Sequence, residues 1–405
     1  MKIGLLKETK IPEDNRVALT PDQLKELSQE FPNAVFKVQS SPTRAYSDEE
    51  YAAAGFPVCD DLSDCDLLLG IKEADIRTLL PGKHYMFFGH IAKMQPYNIP
   101  LFKTLINNTD TFSDYEYLVD DHGMRLVAFG WYAGVVGLYY TLQGWGKKLG
   151  AYELPKPHMH FTIEELIGNL KSVDLGNVRM VLTGGGRVSQ GAQYILQQIG
   201  AKFISPEEFK NGPQETTGLV YTVANIDELV ARTDGADFDF NDFVENPQDY
   251  HSTFDAFATS ADILLCCHFW SNGQPVYLSE ESFRMPGFRI KMIGDITCDI
   301  MGSVKSTLRP ATHAEPWYDY NPATAKEEPA FSSPANVTVM AVDTCPNALP
   351  RVTSQYFGEQ LIKYVLRDEL KKNSGDCAVL DRATILRDGS LTEHFSYLTD
   401  YVAGF

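Results

Sequence analysis

The sequence is short of the residues that build disulfide and metal frameworks. Its seven cysteines, at positions 59, 65, 266, 267, 298, 345 and 377, contain no C-x-x-C pair and none of the spacings of a zinc site. Their odd number and the apolar setting of Cys266 and Cys267 point to reduced thiols in a reducing compartment. His158 and His160, two residues apart, lack an acidic neighbour in the sequence, so no metal is expected there. Positive charge is scarce as well. With 35 Lys and Arg against 54 Asp and Glu, the formal net charge of −19 argues against nucleic acid or an anionic membrane surface as partner. An anionic substrate then has to be met by locally placed Arg and Lys. No apolar run approaches a membrane span, no repeat or low-complexity tract is present, and the first residues already read as a strand rather than a signal peptide. The expected location is the cytoplasm.

What is present is organised around the stretch from Met180 to Leu196. Met180, Val181 and Leu182 form the apolar run of a strand buried on both faces, and Thr183 to Gly186 form a tight turn with little side chain to obstruct a ligand. Beyond it Ala192, Ile195 and Leu196 recur at helical spacing. A helix starting at such a turn aims unpaired N–H groups and its positive dipole end at a pyrophosphate. Gly184, Gly185, Gly186, Arg187 and Val188 are therefore the candidate dinucleotide-binding residues. The turn departs from G-x-G-x-x-G, because Ser189 stands at the third glycine and Gly191 comes two residues late. The alternative is a glycine-rich turn that binds nothing. The strand Ala201 to Ile204 ends in Ser205 where an acid would hold the adenosine ribose, with Glu207 and Glu208 following as helix-cap charges. With Ser205 as the cofactor contact a 2′-phosphate is not repelled, so NADP(H) is favoured over NAD(H), Lys202 and Lys210 being weak phosphate partners.

At 405 residues, 44% hydrophobic and 22% charged, the chain has room for two domains of ordinary size. Lys2 to Leu6 reads as a strand, and Thr20 with Pro21 starts a capped helix, leaving Arg16 in the loop between them. Strands at Val35 to Val38, Leu67 to Ile71 and Tyr85 to Phe88 follow, with a helix over Ser47 to Ala54. Lys72 and Glu73 then lie at one strand's carboxyl end and His90 at the next, where open α/β sheets place ligands. Asp114 and Glu116 sit in an aromatic context, Arg125 precedes the helical segment from Trp131, and small residues at 133, 134 and 137 allow that segment close packing. The acidic stretch around 206–255 reads as a solvated surface insertion. Core strands resume at Ala261 and Met292, the latter ending in Asp295 and Asp299, and a long amphipathic helix runs from Thr353 to about Leu370.

These residues carry a resemblance over nearly the whole chain. Lys7-Glu-Thr and Asn15-Arg-Val-Ala-Leu-Thr-Pro21 resemble the opening of the alanine dehydrogenase and transhydrogenase α-subunit superfamily. Gly70-Ile-Lys72-Glu73, Phe88-Gly-His90, Asp114-Tyr-Glu116, the stretch Val127 to Gly134 and the stretch Val342 to Arg351 resemble the lysine-forming saccharopine dehydrogenases and lysine–ketoglutarate reductase domains. The resemblance implies an α/β chain of two Rossmann-like domains with parallel sheets and a cleft between them. Residues 1–130 with 340–405 make a discontinuous substrate domain and 131–339 the dinucleotide-binding domain. It further implies reversible coupling of lysine to 2-oxoglutarate with a nicotinamide hydride. Lys72, its pKa depressed by cationic neighbours or burial, and His90 exchange protons in that reading. Glu73 and Glu116 tune them, Arg16 and Arg125 bind carboxylates, and Asp295 sits near the nicotinamide. An alanine-type dehydrogenase, another opine dehydrogenase, and a dinucleotide-binding regulatory chain like the transhydrogenase α-subunit remain alternatives. The aromatic Tyr115, Phe129, Trp131 and Tyr132 suit a longer substrate than pyruvate. Partners are small amino acids and 2-oxo acids, and a homo-oligomer is compatible with the sequence.

Overall fold

The computed structural model describes residues 1–371 and 377–403. They divide into two compact units, Met1–Phe129 with Leu349–Phe405, and Gly130–Ala348. In the first, Lys2–Leu5, Leu67–Leu69 and His84–Phe87 are apolar strands buried along most of their length, and they occupy the middle of an eight-stranded sheet. Covering both faces is what a parallel arrangement demands. The chain first steps from Lys2–Leu5 to Val35–Gln39 and Val58–Cys59 on one side. It then crosses back to Leu67–Leu69, His84–Phe87 and Thr111–Asp114 on the other. This reversal puts a topological switch point between Lys2–Leu5 and Leu67–Leu69. Thr384–Arg387 and Ser390–Leu391 close the far edge as antiparallel strands.

Local signals account for the helices around this sheet. The Pro21–Glu30 helix is capped by Thr20, whose hydroxyl accepts the Gln23 N–H while the Gln23 side chain accepts the Thr20 N–H. The helix expected from Thr353 begins slightly earlier, at Pro350, and continues from Leu361 through a π-helical turn at Ile362–Leu366 into Arg367–Leu370.

The second unit holds another eight-stranded sheet. Its order is Lys326–Glu328, Trp317–Asn321, Val337–Met340, Met292–Asp295, Ile263–Cys266, Val178–Thr183, Leu219–Ala224 and Lys202–Phe203. All neighbours pair in parallel except those involving Trp317–Asn321. The Gly130–Leu149 helix packs on the Arg187–Gln198 helix through two glycines. A methyl group on Gly134 would lie 1.8 Å from the Val188 carbonyl oxygen, and one on Gly191 would lie 1.9 Å from that of Trp131. Gly191 is thus fixed by helix–helix contact.

The acidic stretch 206–255 is only partly the solvated insertion expected of it. It supplies Leu219–Ala224, mostly buried beside the glycine-turn strand Val178–Thr183, and Phe209, Phe243, Tyr250 and Phe254 enter the same hydrophobic core. Two of its acids, Asp234 and Asp242, pair with Arg232 beside the short antiparallel strands Val230–Arg232 and Tyr250–Ser252. Charge density in the sequence masked the aromatic residues that anchor the segment.

Candidate active site

In the first unit the carboxyl ends of the central strands hold two charged clusters. The first is built on Asp114, at the end of Thr111–Asp114, which is fully buried and accepts the N–H groups of Gly89, His90 and Glu116 at 3.2, 2.9 and 2.9 Å. Those bonds hold His90 in a left-handed conformation with φ 53°, and its carbonyl accepts from the Asn98 side chain at 2.9 Å. His90 Nδ1 lies 3.2 Å from Glu116 Oε2, while Lys93 and Arg125 approach Glu116 Oε1 at 3.0 and 3.3 Å. Burial alone would raise Glu116. The His90 hydrogen bond and the charges of Lys93, His90 and Arg125 outweigh it and hold the carboxyl at about 2. Donation from a proton-bearing Nδ1 to ionised Glu116 is the tautomer that leaves Nε2 to exchange protons, and Lys93 Nζ lies 3.3 Å from the same Nδ1. Burial pushes Asp114 the other way, to about 6.

The second cluster lies at the switch point. Glu8, just beyond Lys2–Leu5, accepts the N–H of Ile71 and of Lys72 with its two oxygens at 2.7 and 2.8 Å. Burial, reinforced by Asp14, raises it to about 8. Arg16 is 4% exposed, and its Nε and a terminal nitrogen both donate to Asp14. Asp14 is kept below its usual range because Arg16 and Lys72 overcome its burial. One edge of the fork expected to clamp a substrate carboxylate, Nε with one terminal nitrogen, is therefore taken by Asp14, whereas the Arg125 side chain is 40% exposed. Glu73 pairs with Lys10 at 3.1 Å. A shared aromatic group backs both clusters: Arg16 stacks over Phe129 at 4.2 Å, and Phe129 and Tyr115 surround Phe88, which lies beside His90. Trp131 belongs to the second unit, where it packs on Tyr132 and Tyr194.

In the second unit the glycine turn has the shape a pyrophosphate needs. Gly184 has φ +80°, Gly186 is the N-cap of the Arg187–Gln198 helix, and no side chain caps that helix start. Its first N–H groups are left for a ligand. A methyl on Gly186 would meet nothing within 4 Å, so the cradle is open on that side. These residues fit a dinucleotide. Arg187 and Val188 form the first helical turn, and the Val188 carbonyl is packed against Gly134.

Two expected cofactor contacts are used otherwise. Ser205 follows the edge strand Lys202–Phe203, which Leu219–Ala224 separates from the glycine-turn strand, and its hydroxyl caps the Pro206–Asn211 helix at Glu208 N–H, 3.1 Å. Asp295 is 1% exposed and accepts from Thr297, Cys298 and Thr307, so it organises the following loop, with burial raising its pKa. His158 does have an acidic partner, Glu165, at 3.5 Å.

Sequence reading missed Glu8, Asp14 and His268. The first two stand inside motifs quoted above or next to them, yet only folding shows which backbone and side-chain groups they meet. His268 Nδ1 lies 2.6 Å from Thr183 Oγ1 and its Nε2 2.8 Å from Ser303 Oγ, and burial drops it to about 3. A neutral His268 thereby ties the glycine-turn strand to the loop after Asp295.

The fold is that of the two-domain alanine dehydrogenases. The chain superposes on a solved L-alanine dehydrogenase with a TM-score of 0.66, covering 100% of this chain and 99% of the other at 16% identity. Residues 4–136 match the family model of the alanine dehydrogenase/PNT N-terminal domain. In sequence the chain is similar to alpha-aminoadipic semialdehyde synthase of Arabidopsis thaliana, 30% identical over 98% of this chain and 41% of that protein. It is also similar to the saccharopine dehydrogenase [NAD(+), L-lysine-forming] of Neurospora crassa, 26% identical over 90% of each. The chain thus spans less than half of the synthase and nearly all of the dehydrogenase. The resemblance read from the motifs is borne out.

Proposed function

We propose that this chain is an NAD(P)-dependent oxidoreductase acting on a CH–NH bond, coupling the lysine ε-amine to 2-oxoglutarate to give saccharopine, or running the reverse oxidation. The observation that carries the reading is His90, anchored by ionised Glu116 at one central strand end, with Lys72 beyond the end of the adjacent strand. Similarity to the lysine-forming dehydrogenase across nine tenths of both chains supports the substrate pair.

The chemistry needs such groups. The ammonium of lysine gives up a proton, for which His90 Nε2 is the acceptor, and the amine then bonds to the 2-oxo carbon. The carbonyl oxygen takes a proton from Lys72, which recovers one from the nitrogen of the adduct, and the hydroxyl then leaves as water after a second protonation, from His90, giving the protonated imine. Glu116 keeps the imidazole oriented throughout. The nicotinamide, when bound, supplies the hydride to the imine carbon. Arg125, the more exposed arginine, binds a substrate carboxylate, and Arg16 acts through Asp14. The glycine turn and the uncapped start of the Arg187–Gln198 helix hold the pyrophosphate, with NADP(H) and NAD(H) both compatible.

The test is loss of NADPH or NADH absorbance by the purified chain with 2-oxoglutarate, offered lysine, ornithine or ammonia separately. Turnover with lysine alone is expected. Turnover with ammonia would replace this reading by a simple amino acid dehydrogenase, and dinucleotide binding with no turnover would replace it by a regulatory role.

A further inference from the structure

We propose that Asn225 is the residue that meets the adenosine ribose of the bound dinucleotide, and that its neutral carboxamide admits a 2′-phosphate. The proposal rests on the dinucleotide reading of the glycine turn and adds to it the contact that sets cofactor choice.

In an open parallel sheet the ribose is read from the carboxyl end of the strand beside the one that carries the glycine turn. In sequence the next strand is Lys202–Phe203, but that strand lies at the sheet edge. The true neighbour is Leu219–Ala224, paired in parallel with the turn strand from Val178–Leu219 to Thr183–Ala224. The pairing continues into the turn itself, because the Gly184 N–H donates to the Ala224 carbonyl at 2.7 Å. Asn225 is therefore the first residue past the ladder. Its side chain leans over the turn: a methyl group on Gly185 would come within 2.7 Å of Asn225 Oδ1. Strand order and side-chain position are separate observations, and they single out the same residue.

The chemistry of that residue bears on specificity. A carboxylate here would accept from the ribose hydroxyls and repel a phosphate. A carboxamide accepts from a 2′-hydroxyl through Oδ1 or donates to a phosphate oxygen through Nδ2. Nearby, Glu228 is already neutralised by Lys210 at 2.8 Å, and Asp227 is an exposed residue in the short helix that Asn225 begins.

The experiment titrates NADH and NADPH separately into the full chain, following quenching of tryptophan fluorescence, for wild type, N225D, N225A and S205D. Thermal melts check that each variant is folded. Wild type should bind both dinucleotides. N225D should lose NADPH affinity by about tenfold or more while keeping NADH, since it sets two like charges a few ångströms apart. N225A should weaken both without changing preference, and S205D, a good helix cap, should leave the ratio unchanged. A shifted ratio in S205D, or an unshifted one in N225D, would overturn the proposal. So would wild type that takes NADH and refuses NADPH, which would move discrimination to Asp227. Wild type that binds neither would instead remove the dinucleotide reading on which the proposal stands.

Discussion

His90 and Glu8 show how single residues acquire chemistry from what surrounds them. His90 is fixed on three sides, by Asp114 through the backbone, by Glu116 at Nδ1 and by Asn98 at its carbonyl. Replacing it by Gln keeps much of the shape and removes proton exchange, so lysine-dependent turnover should fall by about 10²–10⁴-fold. Turnover within a few-fold of wild type would rule His90 out as an acid–base group. Glu8 gives a prediction about stability. Its carboxyl rises from an ordinary 4.5 to about 8 in the folded chain, chiefly through burial. Between those values the unfolded chain has released the proton and the folded chain still holds it, so raising the pH favours unfolding. The contribution is complete below about 4.5 and lost by about 8. Relative to E8Q, wild type should therefore lose melting temperature as pH rises through that window and no further above it. A wild-type-to-variant difference that is flat from pH 5 to 8 would contradict the burial account.

At the scale of elements, the contact between the Gly130–Leu149 and Arg187–Gln198 helices decides where glycine is needed. Each helix offers one glycine to a carbonyl of the other, so neither backbone can retreat without moving the glycine turn. G191A should destabilise the chain by about 1–3 kcal/mol, the usual cost of overpacking, and more if the helices cannot shift. Denaturant unfolding measures this, and an unchanged midpoint would show that the helices slide freely. The small residues at 134 and 137 were legible as a close-packing surface because spacing along one helix is local information. Their partners were not, because Val188 and Ile296 are distant in sequence.

Taken whole, the chain is one continuous unit inserted in a discontinuous one. Gly130–Ala348 carries its own sheet and core, so a fragment of these residues should fold and bind NADH with close to the affinity of the full chain. Residues 1–348 lack the Pro350–Leu361 helix and the edge strands Thr384–Arg387 and Ser390–Leu391, and their first unit should lose cooperative unfolding. Circular dichroism and NADH titration of the two fragments test both expectations.

What the sequence by itself determined is whatever depends on neighbours along the chain. The strand, turn and helix from Val178 to Gln198, the cap at Thr20, and Lys72 and His90 beyond successive strand ends all follow from periodicity and local hydrogen-bonding needs. The family resemblance was legible for the same reason, since its motifs are short and contiguous. Only the tertiary structure decided that Leu219–Ala224 comes between the glycine-turn strand and Lys202–Phe203, removing Ser205 from the turn and bringing Asn225 to it. Only it showed that Asp14 takes one edge of the Arg16 guanidinium and that Glu8 spans two strand ends. Strand order and the partner of a buried charge are set by which distant surfaces bury each other best. That competition is settled across the whole core, and no local pattern of residues records its outcome.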